Sequence, residues 1–369
     1  MTNESGTLMG RERFEMERAE RSRRVRRYIQ EGEYLQRFRP PHLQEATLSY
    51  VRRGGKSLRA MVLLLSCGAV GGEEERALPA AAAVELYHLW TLVHDDIIDR
   101  DDLRRNGPTV HHDFYRRAVQ ELSYPEEEAR HYGLSIAILA GDLQHSWALA
   151  FLTELHRNLG VDSEVVLYLI RELETRVIST LLEGETLDFQ FAAVPFQQLD
   201  PERILDMLWK KTGNLLGFCG LAGALIGLNR PEPENKRVRA LASFAGKCGI
   251  AFQLQDDLLG AIGDPSKLGK PVGSDILEGK KTLIAYHTFH RLDGAGKRQF
   301  ERIFGSRQAT PAELEEVVNY FRETGALNDV RSLARSYLEE ALELLQPLPP
   351  SHYKDLLALW ADSMLNRDL

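Results

Sequence analysis

Two short runs of acid carry the chemistry open to this chain: Asp95-Asp96-Ile97-Ile98-Asp99 and Asp256-Asp257-Leu258-Leu259-Gly260. Each closes an apolar stretch, with Leu92-Val93-His94 before the first and Phe252-Gln253-Leu254-Gln255 before the second. A carboxylate carried into an apolar setting is costly unless it is paired or holds a metal. No base precedes either run closely enough to pair with all of its acids. On a helix, Asp95 and Asp99 stand at i and i+4, one turn apart on one face, with Asp96 beside them round the axis. Hard oxygen ligands on a rigid frame suit Mg²⁺, which takes one or two carboxylates and completes its shell with water and phosphate. One such run also fits a solvated acidic turn; two, each on an apolar helix, point to metal.

Bases gather near both runs. Arg104-Arg105 follows the first, and Lys267, Lys270, Lys280 and Lys281 follow the second. Lys56 and Arg59 flank Ser57-Leu58 after the pair Gly54-Gly55. Metal-holding acids with Lys and Arg at their margins are what a diphosphate requires: the metal takes one set of oxygens, and guanidinium forks and ammonium groups take the rest. Any one of these bases alone reads as a solvated surface residue.

The elements that must position these residues read as helical throughout. Strictly alternating β-branched runs are absent over useful lengths. A strong helical stretch, Ala-rich at first, runs from Leu78 to about 102, with Gly107-Pro108 marking its end or the turn after it; further helices are expected over about 126–159, 162–192, 201–228, 234–262 and 279–292. Thr310-Pro311-Ala312-Glu313 is a capping box with proline at the first helical position, and Gly325 is a fitting stop. A last helix is predicted over about 326–346, ending before the prolines at 347, 349 and 350. Residues 11–36, dense in Arg and Glu, read as a solvated surface helix. The stretch 263–279 reads as a loop that handles an anion.

With 369 residues and 43% of them hydrophobic, the chain can bury one large core. A net charge of −8 argues against nonspecific nucleic-acid binding. Cys67, Cys219 and Cys248 read as buried thiols in a reducing compartment. Residues 1–10 lack the apolar core of a signal peptide. Leu215–Leu228 is too short and glycine-rich for a membrane span, which needs roughly 20 apolar residues. The expectation is a soluble, cytoplasmic protein with no transmembrane segment.

The motifs, in order, are Gly54-Gly55-Lys56-Ser57-Leu58-Arg59, Glu85-Leu86-Tyr87-His88, Asp95–Asp99, Arg104-Arg105-Asn106-Gly107-Pro108-Thr109, Gly141-Asp142, Lys211-Thr212, Phe252–Asp257 and Gly269-Lys270-Pro271. This succession resembles that of the trans-prenyltransferases, the short-chain isoprenyl diphosphate synthases such as farnesyl and geranylgeranyl diphosphate synthases. The resemblance implies an all-α isoprenoid synthase fold with helices around a central cavity, working as a homodimer with Mg²⁺. It implies that an allylic diphosphate (dimethylallyl, geranyl or farnesyl) ionises and that isopentenyl diphosphate attacks the cation. Asp95, Asp96, Asp99 and Asp256 would hold the metal, with Asp257 close by. Arg104, Lys211, Gln253 and Lys270 would meet the allylic diphosphate or its cation, and Thr212 would offer the cation an oxygen dipole. Lys56, Arg59, His88 and Arg105 would hold isopentenyl diphosphate, and Lys280 would close the diphosphate end. The whole chain would be one synthase domain, with 1–36 an N-terminal extension and 37–346 the catalytic core.

Three positions depart from the family pattern. Ser57 stands where many members have Arg, Gly260 where the second run often ends in Asp, and Glu185 where Gln is common. A carboxylate at 185 leaves two readings open, an altered metal shell or an ion pair. Product length in this family looks to be set by bulk upstream of the first acid run. Thr91 lies one turn before Asp95 and Tyr87 one turn before Thr91, and a turn of roughly 5.4 Å matches one isoprene unit. Thr91 leaves the cavity open; Trp90 and Tyr87 should floor it, giving a fifteen- or twenty-carbon product with geranylgeranyl diphosphate favoured. The rivals are a class I terpene cyclase, which should replace the second acid run, and a noncatalytic partner subunit, which should lose aspartates.

Overall fold

The computed structural model describes residues 2–105, 107–262 and 273–365. The chain forms two compact units. One comprises Met1–Ile170, Leu221–Pro233 and Pro350–Leu356; the other comprises Arg171–Gly220, Glu234–Pro349 and Leu357–Leu369.

The first unit is built on helices α1 (Thr2–Glu31), α2 (Pro41–Arg53), α3 (Leu58–Ala69), α4 (Glu74–Asp99), α5 (Val110–Leu122) and α6 (Glu126–Leu159). Between α4 and α5 a two-residue hairpin pairs β1 (Leu103–Arg104) with β2 (Gly107–Pro108), Arg104 opposite Gly107. α3 is apolar all round and buried from Ala60 to Ala69. α4 packs on it and on α6, and its small residues Ala80 to Ala83 are each at most 1% exposed. Short side chains let backbones approach: a Cβ on Gly223 would stand 2.0 Å from the Leu63 carbonyl.

α1 is not the solvated helix that its composition suggests. Phe14, Arg21, Ser22, Val25 and Ile29 are buried. Arg21 forks onto Glu74 of α4 (Nε to Oε2 3.0 Å, Nη2 to Oε1 2.5 Å), with Glu17 at 2.5 Å on its other side. A buried charge is tolerated when it is paired and hydrogen-bonded in this way. The polar residues that made the helix look solvated therefore form part of its docked face.

α7 (Ser163–Glu172) leads into the second unit, which holds α8 (Ile178–Phe191), α9 (Pro201–Leu208), α11 (Lys236–Ile262), α12 (Ser274–Glu278), α13 (Leu283–Arg291), α14 (Gly294–Ile303), α15 (Pro311–Glu323) and α16 (Ala326–Glu343); α10 (Asn214–Leu228) passes to the first unit at Leu221, and α17 (His352–Leu365) belongs to the first unit up to Leu356. The core of the second unit gathers Phe196, Phe289 and Phe300 with Ile284, Leu258 and Val330. The capping box at Thr310 and Glu313 forms as predicted. Two single helices expected over 162–192 and 201–228 are each interrupted by a π turn, at Leu173–Val177 and Trp209–Gly213. α17 adds a helix after the prolines, where none was expected. It is held by Leu356, Leu357, Trp360 and Met364, all at most 1% exposed.

All three cysteines are buried and none is in a disulfide. Taken across its π turn, Pro201–Leu228 is 28 residues long with a mean hydropathy of 1.2 in its most apolar window. It thus has the length and apolarity of a membrane span, but 78% of that window is buried within the fold.

Candidate active site

In the first unit, Asp95, Asp96 and Asp99 occupy the last turn of α4, which ends at Arg100 in the left-handed region (φ 61°). Carboxylates at a helix C-terminus add to the negative end of its dipole, so this turn strongly favours cations. The three acids are not equivalent. Asp95 and Asp99 are half-buried, whereas Asp96 is wholly buried. Asp96 accepts hydrogen bonds from the Tyr50 hydroxyl and from Arg104 Nε. Burial pushes its carboxyl up to about 6, against the opposing pull of Arg104 and Tyr50. Arg104 also reaches Asp95 (3.4 Å) and Asp101 (3.9 Å).

The hairpin sends its two arginines to different places. The turn demands a positive φ at Arg105 (52°), a conformation that costs energy for any residue with a Cβ. Arg104 goes to the acids, and Arg105 donates to the Gly54 carbonyl. Gly54 has φ 72° and Ser57 φ 47°, so the loop between α2 and α3 doubles back tightly around the exposed Lys56. Ser57 donates to Glu85 of α4 at 3.2 Å. Glu85 is 7% exposed, and its second oxygen, like His88 Nδ1, has no hydrogen-bond partner among the described residues. Burial raises the Glu85 carboxyl, opposed by Arg105 and Arg59. Burial, with Arg59 and Arg105 close by, pushes the His88 imidazole well below its ordinary range and keeps it neutral. Arg59 and Arg105 thus lie close to His88 and Glu85, with Lys56 exposed on the loop beside them.

Tyr87 is fully buried and Trp90 9% exposed, and their ring centroids lie 5.9 Å apart. His145 of α6 closes the group, 5.1 Å from Tyr87 and 5.2 Å from Trp90. Sequence reasoning missed His145, which carries no local signal. Thr91 donates to the His88 carbonyl at 2.8 Å. Gly141 of the Gly-Asp motif has a steric cause: a Cβ there would stand 2.3 Å from His94 Nε2, beside Asp95.

In the second unit, Lys211 and Thr212 sit within the π turn at Trp209–Gly213. Such a turn re-aims side chains and often marks a functional site. Lys211 Nζ pairs with Glu185 (3.0 Å) and Asp188 (2.7 Å). The carboxylate at 185 is an ion-pair partner of Lys211 here. Thr212 donates to the Gln253 carbonyl at 3.1 Å, and Gln253 donates to Asp257 at 3.4 Å. Asp257 is buried; burial, then Asp275, pushes its carboxyl well above the ordinary range. Asp256 is half-buried. Gly260 also has a cause: a Cβ there would stand 2.7 Å from Asp275 Oδ2. Asp275, another residue missed from sequence, thus brings a carboxylate to the end of the second acid run. Lys280 pairs with Glu278 (3.2 Å) and stands 3.9 Å from Asp275. Lys270 lies outside the described residues.

Among the described residues no group of three or more His, Cys, Asp or Glu side chains converges to hold a metal by itself. The half-buried carboxylates of Asp95 and Asp99, one turn apart at the end of α4, are hard oxygen donors of the kind that fit Mg²⁺, which binds through one or two carboxylates and leaves the rest of its shell to water and phosphate. Asp95 and Asp99 in the first unit and Asp256 in the second are the accessible carboxylates.

The helical architecture is the isoprenoid synthase fold. The polyprenyl synthetase family profile matches residues 40–321. The geranylgeranyl diphosphate synthase of Methanosarcina mazei is 36% identical over 340 residues, covering 91% of this chain and 93% of that protein. The solved geranylgeranyl pyrophosphate synthetase of Pyrococcus horikoshii aligns with a TM-score of 0.82 at 32% identity, over 98% of this chain and 100% of that one. The Corynebacterium glutamicum geranylgeranyl pyrophosphate synthase, solved with isoprenyl diphosphate and magnesium, aligns with a TM-score of 0.82 at 27% identity, over 94% and 97%. The chain belongs to the polyprenyl synthetase family and is a short-chain trans-prenyltransferase.

Proposed function

We propose that this protein condenses isopentenyl diphosphate head-to-tail with an allylic diphosphate, with geranylgeranyl diphosphate as the favoured product. The observation that carries the reading is the division of labour between adjacent arginines: Arg104 joins the acids of α4, and Arg105 joins the Gly54–Arg59 loop. One hairpin thereby ties a metal-attracting carboxylate cluster to a base-rich pocket, the two kinds of anion site that two diphosphate substrates need. A terpene cyclase has no use for the second.

Asp95, Asp99 and Asp256, with Asp96 and Asp257 behind them, are the residues to hold Mg²⁺. When bound, the metal would neutralise the charge of the departing diphosphate. Arg104 and Lys211 would add to that stabilisation, and Lys270 and Lys280 would meet the diphosphate end. Lys56, Arg59, Arg105 and the neutral His88 would hold isopentenyl diphosphate. The Thr212 oxygen, steadied by Gln253, would face the cation without becoming a nucleophile. An apolar lining would keep water from the cation, and Tyr87, Trp90 and Thr91 would set how long the product grows. The departing diphosphate is the base available for the final proton.

Residues 37–346 would form the catalytic core, which the family match over 40–321 supports. A homodimer is supported by the exposed apolar residues Leu134, Ile138 and Leu139 on α6, at 37%, 46% and 50% exposure. Three buried cysteines without disulfides suit the reducing cytoplasm. The test is incubation of the purified protein with Mg²⁺, isopentenyl diphosphate and each allylic starter. Failure to condense with any starter, or full activity in EDTA, refutes the reading.

A further inference from the structure

Two lysines stand side by side after the second acid run, and the fold sends them to different places. Lys280 and Lys281 bridge α12 and α13. α12 ends at Gly279 in the left-handed region (φ 71°), and the Lys280 amide donates to the Asp275 carbonyl at 2.9 Å. The Lys280 ammonium lies 3.2 Å from Glu278 and 3.9 Å from Asp275, the carboxylate beside Gly260. The Lys281 ammonium goes instead to a pair of aromatic rings. Its Nζ lies 4.3 Å from the Phe196 centroid and 5.0 Å from the Phe304 centroid. The two rings meet edge to face at 5.4 Å.

A cation over aromatic faces is held by their negative quadrupoles, more firmly where water is excluded. Lys281 is half-buried, and burial lowers its ammonium from the ordinary range, against the pull of Glu301. Phe196 is 3% exposed and stacks on Phe289 at 4.8 Å, so the platform belongs to the core of the second unit. The bridge itself is short and tied at both ends. Gly305 donates to the Ile276 carbonyl at 2.8 Å, and the Thr282 hydroxyl caps α13. Between them the Thr282 amide donates to the Lys280 carbonyl at 2.9 Å, which makes Lys281 the apex of a three-residue turn. In so tight a turn the Lys281 side chain cannot swing without turning the Lys280 peptide. Ammonium groups on adjacent residues also repel, and the rings give the second a seat of its own.

We propose that Lys281 is a positioning residue for the condensation: its clamp on Phe196 and Phe304 aims Lys280 at the diphosphate end of the second acid run. The proposal rests on the prenyl diphosphate synthase reading, and it gives Lys281 a part in the reaction without contact with substrate.

The test is steady-state kinetics on the full chain. Lys281→Met keeps the apolar stem and removes the cation. It lowers kcat/KM for the allylic diphosphate about fivefold, the scale of one lost cation–π clamp. KM for isopentenyl diphosphate and the melting temperature stay close to those of the wild type. Lys281→Arg, which keeps a cation over the rings, recovers most of the loss, and Phe304→Leu, which removes one ring, shows the same pattern at smaller amplitude. In a Lys280→Met background, Lys281→Met lowers kcat/KM no further, because it acts through Lys280. The control is Lys297→Met, whose ammonium lies 5.2 Å from the Phe289 ring, and it changes nothing. An unchanged kcat/KM in Lys281→Met, beside an active wild type, overturns the proposal and leaves the enzyme reading intact. Losses that multiply in the double variant also overturn it, since Lys281 would then act by itself. A fall with both substrates alike, together with a lowered melting temperature, replaces it with a purely structural brace. A wild type that condenses no substrate refutes the enzyme reading and the proposal with it.

Discussion

Replacing Arg21 by Met tests how α1 is held. Arg21 is 6% exposed and Glu74 8%, and the two share a fork of three short hydrogen bonds. Removing one partner of such a pair strands the other charge and costs about 3–5 kcal/mol. Arg24 remains 3.2 Å from Glu74, so the lower end, about 3 kcal/mol, applies here. In a chain of this size that lowers Tm by roughly 5 °C. Glu74→Gln leaves Arg21 with Glu17 as its remaining carboxylate partner, so its cost also falls at the lower end, about 3 kcal/mol. In the double variant Arg21→Met/Glu74→Gln no charge is stranded, so its loss falls below the sum of the singles by about 2 kcal/mol. The assay is reversible denaturant unfolding followed by far-UV circular dichroism, with Arg23→Gln as the surface control. Arg23 and Glu20 pair at 70% and 54% exposure, so that control leaves stability unchanged. A double variant whose loss equals the sum of the singles refutes the reasoning, because the pair would then have no coupling.

Gly184→Ala places a Cβ 2.4 Å from the Lys211 backbone nitrogen; relief by backbone shift costs about 1–3 kcal/mol, and kcat falls more than KM rises, since the π turn moves. Wild-type kcat in that variant would remove the π turn from the account. Asp95→Ala and Asp256→Ala each lower turnover by orders of magnitude with an unchanged far-UV spectrum; near-normal turnover in either would exclude that carboxylate as a metal ligand. Tyr87→Ala and Trp90→Ala lengthen the product, read by chromatography of the dephosphorylated alcohols, and unchanged length in both rejects the aromatic floor. The Asp96 carboxyl, raised from 3.8 to about 6, binds its proton more tightly in the folded chain. Its contribution to stability is therefore present below pH 3.8 and lost as pH rises through about 6, a loss of about 3 kcal/mol. Tyr50→Phe removes a donor to the carboxylate, so the drop in Tm of metal-free protein between about pH 5 and pH 7.5 should be larger in that variant; equal drops would refute this.

The helices and acid runs were legible because they depend on local pattern. A long Ala-rich apolar run with Gly107-Pro108 after it marks α4, and the capping box at Thr310 needs only the next three residues. What stayed hidden depends on partners far along the chain. The docked face of α1 includes Arg21, whose partner Glu74 is 53 residues away. Glu185 became interpretable only with Lys211 beside it, 26 residues on. His145 and Asp275 carry no motif and enter only through packing. The π turns left no mark in composition, because an extra residue in a helix changes angle rather than hydrophobicity.

That extra residue at Trp209–Gly213 acts as a phase slip. Each residue advances an α-helix by roughly 100°, so α10 is rotated by about one residue's angle from where α9 alone would have set it. The helix on either side can satisfy a different set of neighbours without a loop between them. Lys211 and Thr212 lie in the slip itself, so their direction is independent of either face. The insertion is also reversible in principle. Deleting one residue here would restore an unbroken α-helix, a locally more regular chain, while turning every residue of α10 to face the wrong way.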